Sequence, residues 1–329
     1  MRLNWKENWP LYFILLAISF IVSNKIFDSI NYEPSEKIGK TYPPHHWVAP
    51  SLFLENEPKG EERKKLIYGM DLIQNTAYYF GPAGVIAQSS NGMNCQNCHL
   101  DAGTRPWANN YAAVASTYPK FRARSGTIES VSRRVNDCFE RSLNGKAIDT
   151  NSREMQSIVA YIVWLGAGVN KGESPEGSGI SNLKYLDRAA DPVKGETVYT
   201  QYCRSCHGEA GQGQLAPSGK FYIYPPLWGV HSYNEGAGLF RISSLAGYVK
   251  DNMPFGQAYH QSPVLSDAEA WDVAAFINSR PRPVSDLSKD WPDISKKPVD
   301  YPFGPYADGF SDTQHKFGPF SPIAKARKK

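Results

Sequence analysis

Four of the five cysteines in this 329-residue chain occur in two copies of one short pattern, Cys-x-x-Cys-His. Random placement of five Cys and seven His would give the pattern roughly 0.002 times. It is the attachment site of c-type haem, because two thiols at this spacing form thioethers with one haem and the adjacent imidazole binds the iron. The sequence therefore predicts two covalently bound c-type haems. The residues of the two sites are Cys95, Cys98 and His99, and Cys203, Cys206 and His207.

Paired cysteines also occur in zinc sites and in redox-active dithiols. A zinc ion at each pair would need two further ligands, and Cys138 is the one spare cysteine of the chain. The composition is close to the globular average, with 41% hydrophobic and 21% charged residues, which excludes a disordered, fibrous or polytopic membrane chain. A net charge of only +4 does not indicate nucleic-acid binding.

Each haem iron can take a second axial ligand, and the usual donors are His, Met and Cys. Between the two motifs the sequence offers only Cys138 and Met155. Met155 belongs to an apolar stripe with i, i+3, i+4, i+7 spacing, which predicts a packed helix. Cys138 is therefore the better candidate for the first haem, and its other interpretation is an inert buried thiol.

The second haem has one sulfur donor within reach along the chain. Met253 is the only Met or Cys beyond the second motif, and it lies in a loop with Pro254 and Gly256. Such a loop can present a thioether rigidly. The competing donors are His231, His260 and Lys250.

The two halves of the chain repeat the same landmarks. Tyr118–Pro119 and Tyr224–Pro225 follow the two motifs, and a proline carbonyl there can accept the proximal imidazole N–H. Gly69 and Gly195 precede the motifs in helix-like runs, where a missing side chain lets another helix cross closely. Asp191–Pro192 reads as a helix N-cap followed by proline. The repeat predicts an all-α fold of two haem domains that resemble class I cytochrome c.

The predicted organisation has five segments. Leu11–Val22 is apolar and follows Arg2 and Lys6, which suits a secretory signal or an uncleaved anchor. Covalent haem attachment takes place on the exported side of bacterial membranes, which agrees with such a segment. The predicted location is therefore periplasmic, with a possible anchor in the inner membrane. The final Lys325–Lys329 is interpreted as a solvated end. The segments are 1–30, signal peptide or N-terminal membrane anchor; 31–165, first haem domain with the active site; 166–190, linker; 191–285, second haem domain; and 286–329, a loop-rich, wrapping C-terminal extension.

Basic residues surround the predicted ligand Cys138. If 132–143 is helical, Arg134, Arg141 and Ser142 share its face by i±3 and i±4 spacing. Guanidinium groups bind oxyanions with paired donors, so an anionic substrate at the first haem is one interpretation. The other is that these arginines bind haem propionates or form surface ion pairs. A thiolate lowers the potential of a haem and a Met sulfur raises it, so electrons would run from the first haem to the second.

Several stretches together resemble the dihaem thiosulfate dehydrogenases over roughly residues 40–322. They are Asp71–Thr76, Cys95–Leu100, the region of Arg124, Arg133–Ser142, the Cys203 motif, Asn252–Pro254, Tyr301–Asp308 and Gln314–Lys316.

The resemblance implies an enzyme that joins two thiosulfate ions into tetrathionate and releases two electrons; some members also run in reverse. It implies His99/Cys138 ligation of haem 1 and His207/Met253 ligation of haem 2. It further implies that the substrate is bound by Arg124, Arg134 and Ser142. Asn252 stands where some members have a Lys that can replace the Met ligand.

The expected electron partner is a soluble or membrane cytochrome or a quinone-linked protein. Two other functions remain open at this point: an electron-transfer dihaem cytochrome without sulfur chemistry, and a thiosulfate transferase that acts on the cysteine of a carrier protein. A dihaem peroxidase is disfavoured, because none of the histidines outside the two motifs is placed for a peroxidatic site.

Overall fold

The structure is a computed structural model that describes residues 47–52 and 58–328. The predicted signal peptide or anchor at 1–30 lies outside these residues. Within them, none of the helices has the length and apolar character needed to cross a membrane.

The described chain is mostly helical, which confirms the predicted all-α class, and it adds two small antiparallel hairpins. The helices are α1 Gly60–Gln74, α2 Thr76–Phe80, α3 Leu100–Gly103, α4 Val114–Thr117, α5 Val131–Arg141, α6 Arg153–Leu165, α7 Pro192–Tyr202, α8 Arg204–His207, α9 Ile242–Asn252, α10 Asp267–Ser279, α11 Asp312–Phe317 and α12 Phe320–Ala326. The strands are β1 Lys120–Arg122, β2 Thr127–Glu129, β3 Gln214–Leu215 and β4 Tyr222–Tyr224, and β1 pairs with β2 and β3 with β4.

The first hydrophobic core forms where α1 crosses α6. A Cβ atom on Gly69 of α1 would collide with the carbonyl oxygen of Ser157 in α6, so the predicted close crossing at this glycine is confirmed. Met155 is completely buried in α6, as expected for a core residue. The largest fully buried side chains of this core are Tyr161, Phe139, Leu72, Ile73, Ile158 and Leu165.

The second core repeats this crossing with α7 and α10, and α9 packs against α10. A Cβ atom on Gly195 of α7 would collide with the carbonyl oxygen of Asp272 in α10. The helix begins as predicted, because the Asp191 side chain accepts a hydrogen bond from the Val193 N–H at 2.9 Å and Pro192 is the first helical residue.

We expect the substitution Gly195→Ala to lower the free energy of unfolding of the haem-loaded protein by about 1–3 kcal/mol, the usual cost of overpacking. The cost exceeds the gain of about 1 kcal/mol that alanine brings to a helix, because the obstacle is backbone. Gly168→Ala is the matched control, since a Cβ there meets no atom within 4 Å. Thermal and urea unfolding measure both; equal melting temperatures for the two variants would contradict the crossing.

The C-terminal extension contacts both the first half of the chain and the helices of the second core. Asp290 forms an ion pair with Arg124, and Asp300 forms one with Arg241 at 2.6 Å. The interpretation of the last residues as a solvated end is wrong for Arg327, which lies 2.7 Å from Asp308. It is held there because α12 buries Ile323 completely and fixes the helix against the second core.

Candidate functional site

The imidazole of His99 is held by a backbone carbonyl ten residues later in the chain. Its Nδ1 is hydrogen-bonded to the carbonyl oxygen of Asn109, so the expectation that Pro119 supplies this carbonyl is wrong. Trp107 and Asn109 have φ values of +56° and +57°, and this left-handed backbone turns the chain back beneath the ring. Tyr111 stacks on His99 with a centroid distance of 4.6 Å.

The imidazole of His207 follows the prediction. Its Nδ1 lies 2.8 Å from the carbonyl oxygen of Pro225. Burial lowers the pKa of His99 to about 4 and also lowers the pKa of His207, so both rings are neutral at neutral pH. A neutral ring that donates from Nδ1 to a carbonyl leaves the lone pair of Nε2 for a metal.

The residues of both motifs fit a c-type haem. All five cysteines are free thiols, so both sulfurs of each motif are available for thioether bonds. Burial raises the pKa of Cys95, Cys98 and Cys203 to about 12, which is typical of thiols in an apolar pocket. The contact between Nε2 of His99 and Nδ2 of Asn109 is 3.4 Å long, too long for a strong hydrogen bond.

Cys138 lies in α5 and faces the first motif. After burial, the charge on its thiol is a further cause of the raised pKa of both Cys95 and Cys98, which places Cys138 near the first motif. The helix begins at the N-cap Ser130, whose hydroxyl accepts a hydrogen bond from the N–H of Arg133 at 3.2 Å. The predicted helix over 132–143 is therefore confirmed to within two residues at each end.

Arg134 is the arginine that the structure brings to Cys138. The charge of Cys138 is the largest cause of the raised pKa of Arg134. Its side chain is 37% exposed, and its nearest carboxylate, on Asp137, is 3.8 Å away. Ser142 is the C-cap of α5 and donates its backbone N–H to the carbonyl of Cys138 at 2.9 Å. Arg134, Cys138 and Ser142 thus lie together, on successive turns of one helix.

Arg124 is held by a residue that the sequence did not single out. Its Nε and Nη2 lie 2.8 Å and 2.7 Å from Oδ2 of Asp290 in the C-terminal extension. The other carboxylate oxygen, Oδ1, accepts from Nη2 of Arg141 at 3.0 Å. Arg141 stands three residues after Cys138 in α5, so Asp290 links Arg124 to the helix that carries the thiol.

Met253 directly follows α9 and packs against the small buried cluster of Leu100, Ala108 and Tyr248, as well as against the second core. The competing donors have other surroundings. Lys250 donates to the carbonyl of Leu265 at 2.7 Å and lies 2.9 Å from Asp267. His260 pairs with Asp251 at 3.0 Å and stacks on Trp107, and His231 is exposed.

Hydrogen bonds near the first motif join the first half of the chain to the second. The side chain of Asn252 donates to the carbonyl of Trp107 at 3.1 Å, and the hydroxyl of Tyr248 donates to the carbonyl of Asn97 at 3.0 Å. Asn234 of the second half caps the end of α5 by donating to the carbonyl of Glu140 at 2.9 Å. The acceptors in these hydrogen bonds are backbone carbonyl oxygens, so the pattern of side chains in the sequence does not predict them.

Family models match the chain in two places. Residues 86–170 match the cytochrome c domain of the SoxA/TsdA type, and residues 192–281 match cytochrome c. A thiosulfate dehydrogenase of Allochromatium vinosum is 38% identical over 231 residues, which are 69% of this chain and 82% of that protein. The chain belongs to the thiosulfate dehydrogenase family.

Two further members of the thiosulfate dehydrogenase family show how much of the length is shared. A thiosulfate dehydrogenase of Psychrobacter arcticus is 41% identical over 204 residues, which cover 61% of this chain and 60% of that protein. The solved structure of thiosulfate dehydrogenase (TsdBA) from Marichromatium purpuratum, in its "as isolated" form, is 30% identical, with a TM-score of 0.66. The matched region covers 73% of this chain and 50% of the chain in that structure. The two cytochrome c domains imply two covalently attached c-type haems.

Proposed function

We propose that this chain is a dihaem cytochrome that oxidises thiosulfate, joining two thiosulfate ions into one tetrathionate ion. The observation that carries the proposal is that Arg134 and Cys138 lie on successive turns of α5 near the first haem motif, close enough for the charge of Cys138 to raise the pKa of Arg134, in a member of the thiosulfate dehydrogenase family. A thiol that reacts with sulfur and a cation that binds oxyanions are the two groups this chemistry needs.

The proposed axial ligands are His99 and Cys138 for haem 1, and His207 and Met253 for haem 2. The charge on Cys138, which contributes to the raised pKa of Cys95 and Cys98, places its thiol near the first motif and supports the first pair. The engagement of Lys250 and His260 in other contacts supports Met253 over these competitors. When bound, the haems supply two one-electron acceptors.

The main physical obstacle to the reaction is the repulsion between two anions, and the arginines reduce it. Two thiosulfate dianions repel each other as their sulfur atoms approach. Because the repulsion scales with the product of two double charges, it reaches on the order of 10 kcal/mol at short range with an effective dielectric constant of about 20. In the proposed site Arg134 and Arg124 neutralise part of this charge, and the hydroxyl of Ser142 orients one anion. The Cys138 sulfur bonds to the outer sulfur of the first thiosulfate as two electrons leave, which the haems would accept when bound. The second thiosulfate then attacks that outer sulfur, forming tetrathionate and releasing the Cys138 thiolate, so that two electrons are released for each tetrathionate formed.

The remaining parts of the proposal concern direction, partner and place. We propose that the reaction is reversible, with tetrathionate reduction as the reverse. The electrons pass to a soluble or membrane cytochrome or a quinone-linked protein, and the protein works in the periplasm. The apolar segment at 11–22 supports export or anchoring there. The proposed domain boundaries stay those of the sequence analysis.

The test is anaerobic turnover of the purified two-haem protein with thiosulfate and an artificial electron acceptor, with tetrathionate assayed directly. We expect one tetrathionate for every two electrons. Absence of turnover in both directions, with both haems intact, would contradict the proposal and favour an electron carrier. Thiosulfate consumption only when a carrier protein is added would favour the thiosulfate transferase.

A further inference from the structure

The carboxylate of Asp290 lies between two guanidinium groups. Oδ2 accepts from Nε and Nη2 of Arg124, at 2.8 Å and 2.7 Å, and Oδ1 accepts from Nη2 of Arg141 at 3.0 Å. The side chain of Asp290 is only 8% exposed, and those of Arg124 and Arg141 are 16% and 18% exposed. One carboxylate therefore holds two largely buried cations.

The two guanidinium groups would separate without this carboxylate. Burial lowers the pKa of Arg124, and the charge of Arg141 lowers it further, because like charges repel. With Asp290 in place the triad keeps one net positive charge. Nη1 of Arg124 and Nε of Arg141 are not used by the close contacts to Asp290, so these N–H groups are the donors left for an oxyanion.

The position of Asp290 is itself fixed by contacts on both sides. The backbone N–H of Trp291 donates to the carbonyl of Arg124 at 2.7 Å. Pro292 packs against Gly126 in the β1–β2 turn, where a Cβ would come within 2.6 Å of the proline ring. The hydroxyl of Tyr301 accepts from Nη2 of Arg124 at 3.1 Å. The segment at 290–292 is thus tied to the hairpin that precedes α5.

We propose that Asp290 is the positioning residue of the thiosulfate site. It holds Arg124 and Arg141 together at the turn of α5 that follows Cys138, so that a dianion meets two guanidinium groups in one fixed orientation. The identity of the ligand rests on the proposed function, and the role of Asp290 rests on the contacts above.

The effect of removing this carboxylate has a definite sign. A negative charge near an anion site repels the anion, so loss of the charge alone would tighten thiosulfate binding. Loss of the carboxylate also lets the two guanidinium groups move apart, and oxyanion binding depends on their paired geometry. We expect the geometric effect to prevail, so that Asp290→Asn weakens thiosulfate binding about tenfold or more, as for a lost charged hydrogen bond.

The experiment is calorimetric titration of the fully reduced two-haem protein with thiosulfate. Reduced protein has no electron acceptor for the reaction, so the titration measures binding alone. Asp300→Asn is the matched control, because Asp300 is also a buried carboxylate of the extension that pairs with an arginine, Arg241. We expect the control to lose stability and keep its thiosulfate Kd within about twofold, since surface or core changes away from the site leave binding unchanged.

Unchanged or tighter binding by Asp290→Asn would overturn the proposal, and so would equal weakening by Asp300→Asn. Asp290→Glu, which restores the charge, should recover most of the affinity. If Asp290→Asn does not assemble with both haems, Tyr301→Phe tests the same role with a smaller disturbance. It removes one hydrogen-bond acceptor of Arg124 and leaves Asp290 in place. We expect this variant to bind thiosulfate about threefold more weakly, and unchanged affinity would contradict the positioning role.

The two proposals fail in different ways. Asp290-dependent binding without turnover of the wild type would overturn the proposed function and leave the positioning role standing. Turnover of the wild type, with wild-type Kd and KM in Asp290→Asn, would overturn the positioning role alone. A wild type that does not bind thiosulfate overturns both.

Discussion

Replacing Cys138 with glycine should abolish thiosulfate oxidation and leave two haems covalently attached. The variant lacks the sulfur that faces the first motif, and the thioether positions Cys95 and Cys98 are untouched. We expect turnover to fall at least about 1,000-fold, which corresponds to about 4 kcal/mol of transition-state stabilisation. Intact-protein mass counts the haems, and the visible spectrum of haem 1 should change because it loses an axial ligand.

Cys138→Ser is the control for the size of the side chain, since it keeps an atom at the γ position and loses only the sulfur chemistry. It should be as inactive as the glycine variant. If the serine variant kept more than about a tenth of the activity, a loss of under about 1.4 kcal/mol, then Cys138 would not take part in the sulfur transfer. Its role would then be that of a structural ligand in an electron carrier.

Replacing Met253 with leucine should lower the reduction potential of haem 2. Leucine keeps the volume that packs against the cluster of Leu100, Ala108 and Tyr248 and against the second core, but it removes the thioether that raises the potential of a haem. Axial ligands set haem potentials over about 0.8 V, so we expect a fall on the order of 0.1 V or more. Potentiometric titration of the two haems measures it, and electron delivery to an acceptor of high potential should slow.

Met155→Leu provides the matched control for this prediction. Met155 is the other methionine considered as a ligand, and it is completely buried in α6. Both haem potentials should stay unchanged in this variant. A fall in the potential of haem 1 on Met155→Leu, or an unchanged haem 2 in Met253→Leu, would show that the assignment of the ligands is wrong.

Much of the fold was predictable because the controlling signals are local. The N-cap Asp191 with its following proline, the apolar stripe of Met155, and the glycines at 69 and 195 all act within one helix or one crossing. The carbonyl that binds His99 was not predictable. It belongs to Asn109, and the left-handed φ values that orient it occur at Trp107 and Asn109. Asn is enriched in this conformation, but it adopts it in a minority of cases, and Trp rarely does.

The candidate site was predictable only where it lies along one helix. Arg134, Cys138 and Ser142 follow helical spacing, so their common face could be read from the sequence. Asp290 lies 166 residues after Arg124, in a stretch without periodicity, and pairing over such a distance leaves no local pattern.

The ion pairs of the extension also set the order in which the protein can be completed. A chain leaves the ribosome at about 5–20 residues per second, and 166 residues separate Arg124 from Asp290. At that rate Arg124 is synthesised about 10–30 s before Asp290. The interval between Arg241 and Asp300 is shorter, because only 59 residues separate them. The final packing around Arg124 therefore requires the chain up to residue 290, and a chain truncated before that residue would leave Arg124 without this counter-ion.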